Sequence, residues 1–200
     1  MATSRVAIQS AGQLLDLLKE STKVKDPDYL KWVSDFVSKN KKTFTLKNPA
    51  GARLKIGGLE DTMYKGNDGK LNGWGKFYLP EIVTMKVVGV VEGTSCPCDQ
   101  LVLMTCEDRK VYAFDGEEEE LHMVAENLKE LGEKGLMYPS SQSYYKGEPF
   151  KHMTKEDWDK VRNSEVGKKL DKEHRKLVDS KKFKLLEKLK STKGAAPGAV

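Results

Sequence analysis

The sequence predicts an α+β fold: a mixed, mainly antiparallel sheet covered by helices, followed by a charged helical extension at the C-terminus. Three observations predict it. Apolar residues recur at helical spacing near the N-terminus, and from Lys42 they switch to alternation. From residue 155 onward lysines dominate and the apolar stripe thins. The chain therefore divides into an α+β globular domain, 1–154, and a Lys-rich helical tail, 155–200, with a frayed end at GAAPGAV.

Each element has its own signal. Ala11, Leu14, Leu15 and Leu18 share one helical face, which predicts a helix over Ser10–Thr22. Asp26 before Pro27 is an N-cap followed by Pro at the first helical position, so a second helix runs to about Asn40. Its apolar residues form two stripes, Leu30/Val33/Val37 and Tyr29/Trp32/Phe36, so it is expected to be contacted on two sides. Phe44/Leu46 and Leu54/Ile56 alternate around the turn Asn48-Pro49-Ala50-Gly51, as in a hairpin. Residues Lys65–Trp74, rich in Gly, Asn and Asp, read as a loop, and Gly75–Tyr78 as a strand stopped by Pro80. Val87–Val91 has the β-branched composition of a buried strand. Leu101–Thr105 and Lys110–Phe114 are strands joined at Glu107–Arg109.

Asp115 is then expected to cap a helix whose first turn is Glu117–Glu120. Leu121, Val124, Ala125, Leu128 and Leu131 would be its buried stripe, and Gly132 or Gly135 its end. Residues 137–154 read as a polar aromatic loop. Thr154 and Asp157 form a loose capping box for a short helix burying Trp158 and Val161. A longer helix is expected over Ser164–Ser191, its thin stripe made of Val166, Leu170, Leu177, Leu185 and Leu189.

Charge is distributed unevenly. The net charge is +5, yet residues 151–200 carry 15 Lys/Arg against 8 Asp/Glu, while residues 1–150 carry 20 against 22. A mean hydropathy of -0.60 and the absence of a long apolar run exclude a membrane-embedded helical body. The first residues lack the apolar core of a signal peptide, and the three cysteines are too few and too odd for a disulfide framework. These features point to a cytoplasmic location, with the nucleus as an alternative.

No catalytic constellation stands out, and the chain is expected not to be an enzyme and to need no cofactor. Cys96, Cys98 and Cys106 lack the C-x₂₋₄-C spacing and fourth ligand of a structural zinc site, so Cys106 reads as a small packing residue. A Cys106 or Cys98 nucleophile would need His122 as its base, and no flanking motif supports it. The Asn67–Gly73 loop lacks the ligand spacing of a calcium loop, and no G-K-[ST] marks a phosphate loop. The acidic run at Glu117–Glu120 reads as a helix start in preference to a metal or basic-partner site, so no metal site is assigned.

Two surfaces remain. Trp74, Phe77, Tyr78, Tyr144, Tyr145 and Phe150, with Tyr138, lie in or beside the expected loops, either as partner-binding anchors or as a satellite core. In the tail, Lys168, Lys169, Lys172, Arg175, Lys176, Lys181, Lys182 and Lys184 could neutralise phosphates or an acidic partner. Interleaved Glu165, Asp171, Glu173, Asp179 and Glu187 match instead the pattern of a salt-bridged, solvated helix.

A strand at Val87–Val91, the hairpin LVLMTCEDRKVYAFD and the segment LHMVAENLKELGEKG together resemble the SUKH superfamily, the Smi/Knr-type and immunity-protein fold, which includes a herpesviral branch. Val111, Tyr112, Phe114 and Asp115 stand at the strand end of that pattern, and Ala125, Leu128, Glu130 and Leu131 in its helix. The likeness covers about residues 78–150. It implies a non-enzymatic protein-binding module that neutralises a toxin, pathogen or defence factor, and it transfers no functional residue set. The expected partner is another protein, with nucleic acid as the alternative through the tail and no membrane.

Overall fold

The alternating segments assemble into one eight-stranded sheet whose strands follow chain order. The computed structural model describes residues 7–95 and 100–193, with side chains to Lys188. Cys96, Cys98, the side chain of Leu189 and the C-terminal GAAPGAV lie outside the described residues. The strands are β1 (Ile8–Gln9), β2 (Thr43–Thr45), β3 (Arg53–Ile56), β4 (Lys86–Glu92), β5 (Leu101–Thr105), β6 (Val111–Asp115), β7 (Glu120–Ala125) and β8 (Ser143–Tyr145). β1 and β2 are parallel and every other pair is antiparallel. The helices are α1 (Ala11–Leu18), α2 (Tyr29–Lys39), α3 (Asp68–Phe77), α4 (Leu128–Lys134), α5 (Lys155–Asn163) and α6 (Glu165–Lys193). The fold is thus α+β, mainly antiparallel, with a helical C-terminal segment. It divides into two units, 1–151 and 152–200. Among the described residues no helix is long and apolar enough to cross a membrane.

Both faces of the sheet are buried. Along β5, Leu101 and Leu103 belong to one core, while Val102 and Met104 belong to another. Since successive side chains point to opposite faces, the two cores lie on opposite sides of the sheet. This explains the unbroken apolar run LVLMT, which a one-sided sheet would alternate. The first core packs Leu14 and Leu18 of α1, Tyr29, Val33, Phe36 and Val37 of α2, and Leu128 and Leu131 of α4. Ser10 caps α1 with a complete capping box to Gln13, while the two stripes expected on α2 merge into one: Tyr29, Val33, Phe36 and Val37 share a face and all enter the first core, with Leu30 and Trp32 partly buried against it. Asp26 has a different role from the expected one. Residues Asp26–Asp28 form a 3₁₀ turn, and the Asp26 carboxylate accepts from Arg109 Nε at 2.9 Å. The same guanidinium donates to the Val24 carbonyl at 2.6 Å and lies 4.8 Å from the Tyr29 ring centre. It ties the β5–β6 turn to the segment before α2.

The second core is capped by α3, where the sequence suggests a loop and a strand. Asn67 caps this helix by accepting from Lys70 N at 2.9 Å. Glycines weaken an isolated helix by about 1 kcal/mol each relative to Ala, which is why the segment reads as a loop. Burial decides otherwise. Trp74 is fully buried against Phe114, with ring centres 5.0 Å apart, and Tyr64 stands edge-on to Trp74 at 5.2 Å. Gly75 is needed for close approach, because a Cβ there would meet the Val83 carbonyl oxygen at 2.2 Å.

The acidic run is also corrected. Residues 120–125 form strand β7, and the helix starts only at Leu128, where Asn127 caps it by accepting from Glu130 N. Leu121 joins the second core, while Val124 and Ala125 join the first. A strand buried on both faces loses its period of two, so Leu121, Val124, Ala125 and Leu128 imitate a helical stripe. Asp115 caps a hairpin turn, its Oδ1 accepting from Glu117 N at 2.8 Å and Glu118 N at 3.3 Å. Glu119 takes the left-handed conformation that closes the turn (φ +54°).

In residues 152–200, Thr154 and Asp157 form the expected capping box. Ser164 accepts from Gly167 N at 3.0 Å where α5 passes into α6. Trp158 and Val161 are not buried: they are 45% and 51% exposed. A short amphipathic pattern specifies a face, and burial of that face takes more than the pattern.

Candidate functional site: an aromatic groove beside α3

The six aromatic candidates do not converge on one surface. Trp74 and Tyr78 are core residues, because the segment carrying them is a helix lying on the sheet. Burial pushes the Tyr78 hydroxyl up to about 12. Phe77, between them in sequence, faces outward and is 37% exposed, with its ring 6.2 Å from that of half-buried Phe150. The Phe77 carbonyl accepts from Gly147 N at 2.6 Å, which fixes the end of α3 to the 146–150 turn. Tyr144 and Tyr145 lie on opposite faces of β8. Tyr144 leans on the second core 6.4 Å from Tyr112. Tyr145 is 59% exposed and hydrogen-bonds Glu120, which holds its hydroxyl above the usual range.

What remains of the cluster is a shallow groove between α3 and the 146–150 turn. Its volume is ≈ 130 Å³, and Lys70, Trp74, Phe77, Tyr78 and Lys146 line it. Lys70 Nζ lies 4.8 Å over the Phe114 ring and 3.5 Å from Glu119. Lys146 is exposed. Two other hollows of the globular unit measure ≈ 190 Å³ and ≈ 240 Å³. All three fall below the roughly 300–1,000 Å³ of small-molecule sites. A groove of this kind suits a side chain or two of a partner.

The cysteine and histidine weighed as a nucleophile and base are separated by the sheet. Cys106 sits in the second core, whereas His122 pairs opposite Ala113 of the first core and stacks edge-on to Tyr138 at 5.1 Å. Burial pushes the Cys106 thiol far up, and its hydrogen bond to Asp108 Oδ1 (3.0 Å) adds to this. Asp108 also accepts from Tyr112 through its other oxygen. The thiol is held protonated, the opposite of what a nucleophile requires. Asp115, Glu118 and His122, which no sequence motif marks, form a group of potential metal ligands with ligand atoms within 4.8 Å of one another.

All eight basic candidates of the tail are exposed. Only Arg175 among them forms an ion pair, with Asp171 at 2.9 Å, so the expected lacing by i,i+4 pairs is sparse among the described residues. Spacing places Lys168, Lys172, Arg175 and Lys176 on one face of α6. Lys181 and Lys184 share another with Val178 and Leu185, bordering the same hollow.

Fold and groove together define an α+β domain with a core on each side of an open sheet and a small aromatic hollow at its surface. The chain belongs to the US22-like family, whose model matches residues 27–142, from the turn before α2 almost to β8. Its relatives are viral. It is 31% identical over 160 residues to the uncharacterized protein 005R of Frog virus 3, covering 78% of this chain and 74% of that one. It is 36% identical over 97 residues to the uncharacterized gene 87 protein of Gallid herpesvirus 2, covering 48% of this chain and 53% of that one. An uncharacterized protein of Fowlpox virus, FPV250, is 31% identical over 104 residues, covering 52% and 71%. The chain therefore spans about half the length of the herpesviral relative. No solved structure matches.

Proposed function

We propose that this protein is a non-enzymatic interaction module that occludes a partner protein, and that Phe77 and Phe150 are the anchors. The observation that carries this reading is the pairing of 37% exposed Phe77, which lines the lysine-flanked groove, with half-buried Phe150 beside it. Buried aromatic anchors contribute most of the affinity in such interfaces, while rim charges such as Lys146 steer encounter and register. Splitting of Cys106 from His122 across the sheet, and the small size of those hollows of the globular unit, support a binding role over a hydrolytic one. The SUKH-like pattern supports the more specific version, neutralisation of a toxin, pathogen or defence factor in the cytoplasm.

A pull-down from lysate of the cells in which the protein is made tests this. Phe77→Ala/Phe150→Ala is expected to lower recovery of the partner about tenfold or more, since each anchor contributes upwards of ~1 kcal/mol. A circular-dichroism spectrum like the wild type's would show that the fold is retained. Unchanged recovery by a folded double variant would exclude these anchors.

A second reading, nucleic-acid binding, rests on the exposed basic face of α6 formed by Lys168, Lys172, Arg175 and Lys176. Four phosphate contacts predict a log–log salt dependence with a slope of roughly -3 to -4 on duplex DNA. Charge reversal of these four residues should abolish it. Failure to retain duplex or single-stranded nucleic acid at low salt would end this reading.

A further inference from the structure

The β6–β7 hairpin carries a feature that the binding role does not use. His122 is only 5% exposed, and neither of its ring nitrogens has a hydrogen-bond partner. An imidazole buried in that condition loses the solvation of both nitrogens without a hydrogen bond in return. Its ring is aimed at oxygen ligands. One ligand atom each from Asp115, Glu118 and His122 lies within 4.8 Å of the others, and Glu120 Oε2 is 3.6 Å from His122 Nε2.

We propose that Asp115, Glu118 and His122 bind a divalent first-row transition-metal ion, with Zn²⁺ the best match. Four features support this. A mixed set of imidazole nitrogen and carboxylate oxygens suits zinc or manganese better than the all-oxygen shells of calcium and magnesium. The set is built on a rigid frame: Asp115 and His122 stand on adjacent strands, and Glu118 is held by the turn between them, where its own N–H donates to Asp115 Oδ1. Asp115 is fully buried, and its second oxygen accepts from Tyr138 Oη at 2.5 Å. A hydrogen-bonded ligating carboxylate of this kind is typical of metal sites. The charge balance also favours it, because burying Asp115 and Glu120 side by side is costly and a dication offsets that cost. Exposed Glu118 gives the ion a route from solvent. Bound there, the ion pins the hairpin turn, and three protein ligands leave a coordination position for water or for a donor group of a partner.

The test is isothermal titration of Zn²⁺ into metal-stripped, untagged full-length protein. One ion per chain is expected. His122→Phe keeps an aromatic ring against Tyr138 and should lower affinity about 100-fold or more, beyond the 10–100-fold typical of losing a supporting group. Tyr138→Phe should fall within that 10–100-fold range. Glu118→Gln alters only an exposed turn residue, so its fold is not at risk, and it should weaken binding at least about tenfold. Absence of Zn²⁺ binding by the wild type would overturn the proposal. So would wild-type affinity in folded Glu118→Gln and His122→Phe proteins, which would place the ion on other residues.

Discussion

Trp74→Ala is expected to destabilise the globular unit by about 3–5 kcal/mol, the range for removing a large aromatic side chain from a core. Trp74 is fully buried, with Phe114 and Tyr64 against its indole at ring distances of 5.0 and 5.2 Å. Its loss would empty the interface between α3 and the sheet. Trp74→Phe is a sharper comparison. The indole Nε1–H is buried without an acceptor, so replacing it removes an unsatisfied donor as well as volume. A net cost under about 2 kcal/mol is expected. Urea unfolding followed by far-UV circular dichroism measures both. A loss below about 0.5 kcal/mol for Trp74→Ala, the range of surface substitutions, would mean that α3 does not pack on the sheet. The experiment also separates core from anchors: Phe77 and Phe150 changes should lower partner recovery without the loss of stability expected for Trp74→Ala.

The second large effect is expected at Gly89, in the middle of β4. A Cβ at this position would meet the Lys55 carbonyl oxygen at 2.3 Å and Leu54 Cδ1 at 3.0 Å. The first is a backbone atom held in the β3–β4 ladder, beside the irregularity between Val87 and Gly89. Relief requires the two strands to separate, so Gly89→Ala should cost about 3 kcal/mol or more. Gly58→Ala serves as the control. A Cβ there meets nothing within 4 Å, and its effect should stay within about 0.5 kcal/mol. Equal urea midpoints for the two variants would contradict the close β3–β4 approach.

Where one physical signal dominates, local reading works: Ser10 with Gln13, Thr154 with Asp157, the alternation of Phe44 with Leu46, and the β-branched run at Val87–Val91. It fails at two places for related reasons. The 68–77 segment has a composition that disfavours a helix, but burial of Trp74 and Tyr78 outweighs the propensity of four nearby glycines (Gly66, Gly69, Gly73, Gly75). At 120–125, burial on both faces erases the alternation that distinguishes strand from helix, and the acidic turn before it resembles a helix start.

The candidate sites follow the same division. The sequence names Phe77 and Phe150 but cannot separate them from Trp74 and Tyr78, because exposure depends on which way α3 is rotated against the sheet. It places Asp115, Glu118 and His122 within eight residues, yet a helical reading spreads them differently from the hairpin that brings them together. Cys106 and His122 look equally close in sequence, and the pleat assigns them to opposite cores.

By itself, then, the sequence determines the α+β class, the starts of α1 and α5, the strands β4, β5 and β6 and the basic helical character of the tail, because capping chemistry, hydrophobic period and charge are local properties. Only the tertiary structure decides which residues cover the second face of the sheet, which aromatics reach solvent and which side chains meet around the β6–β7 turn. These depend on contacts between residues far apart in the chain, and burial energy there exceeds the local preferences that a sequence displays.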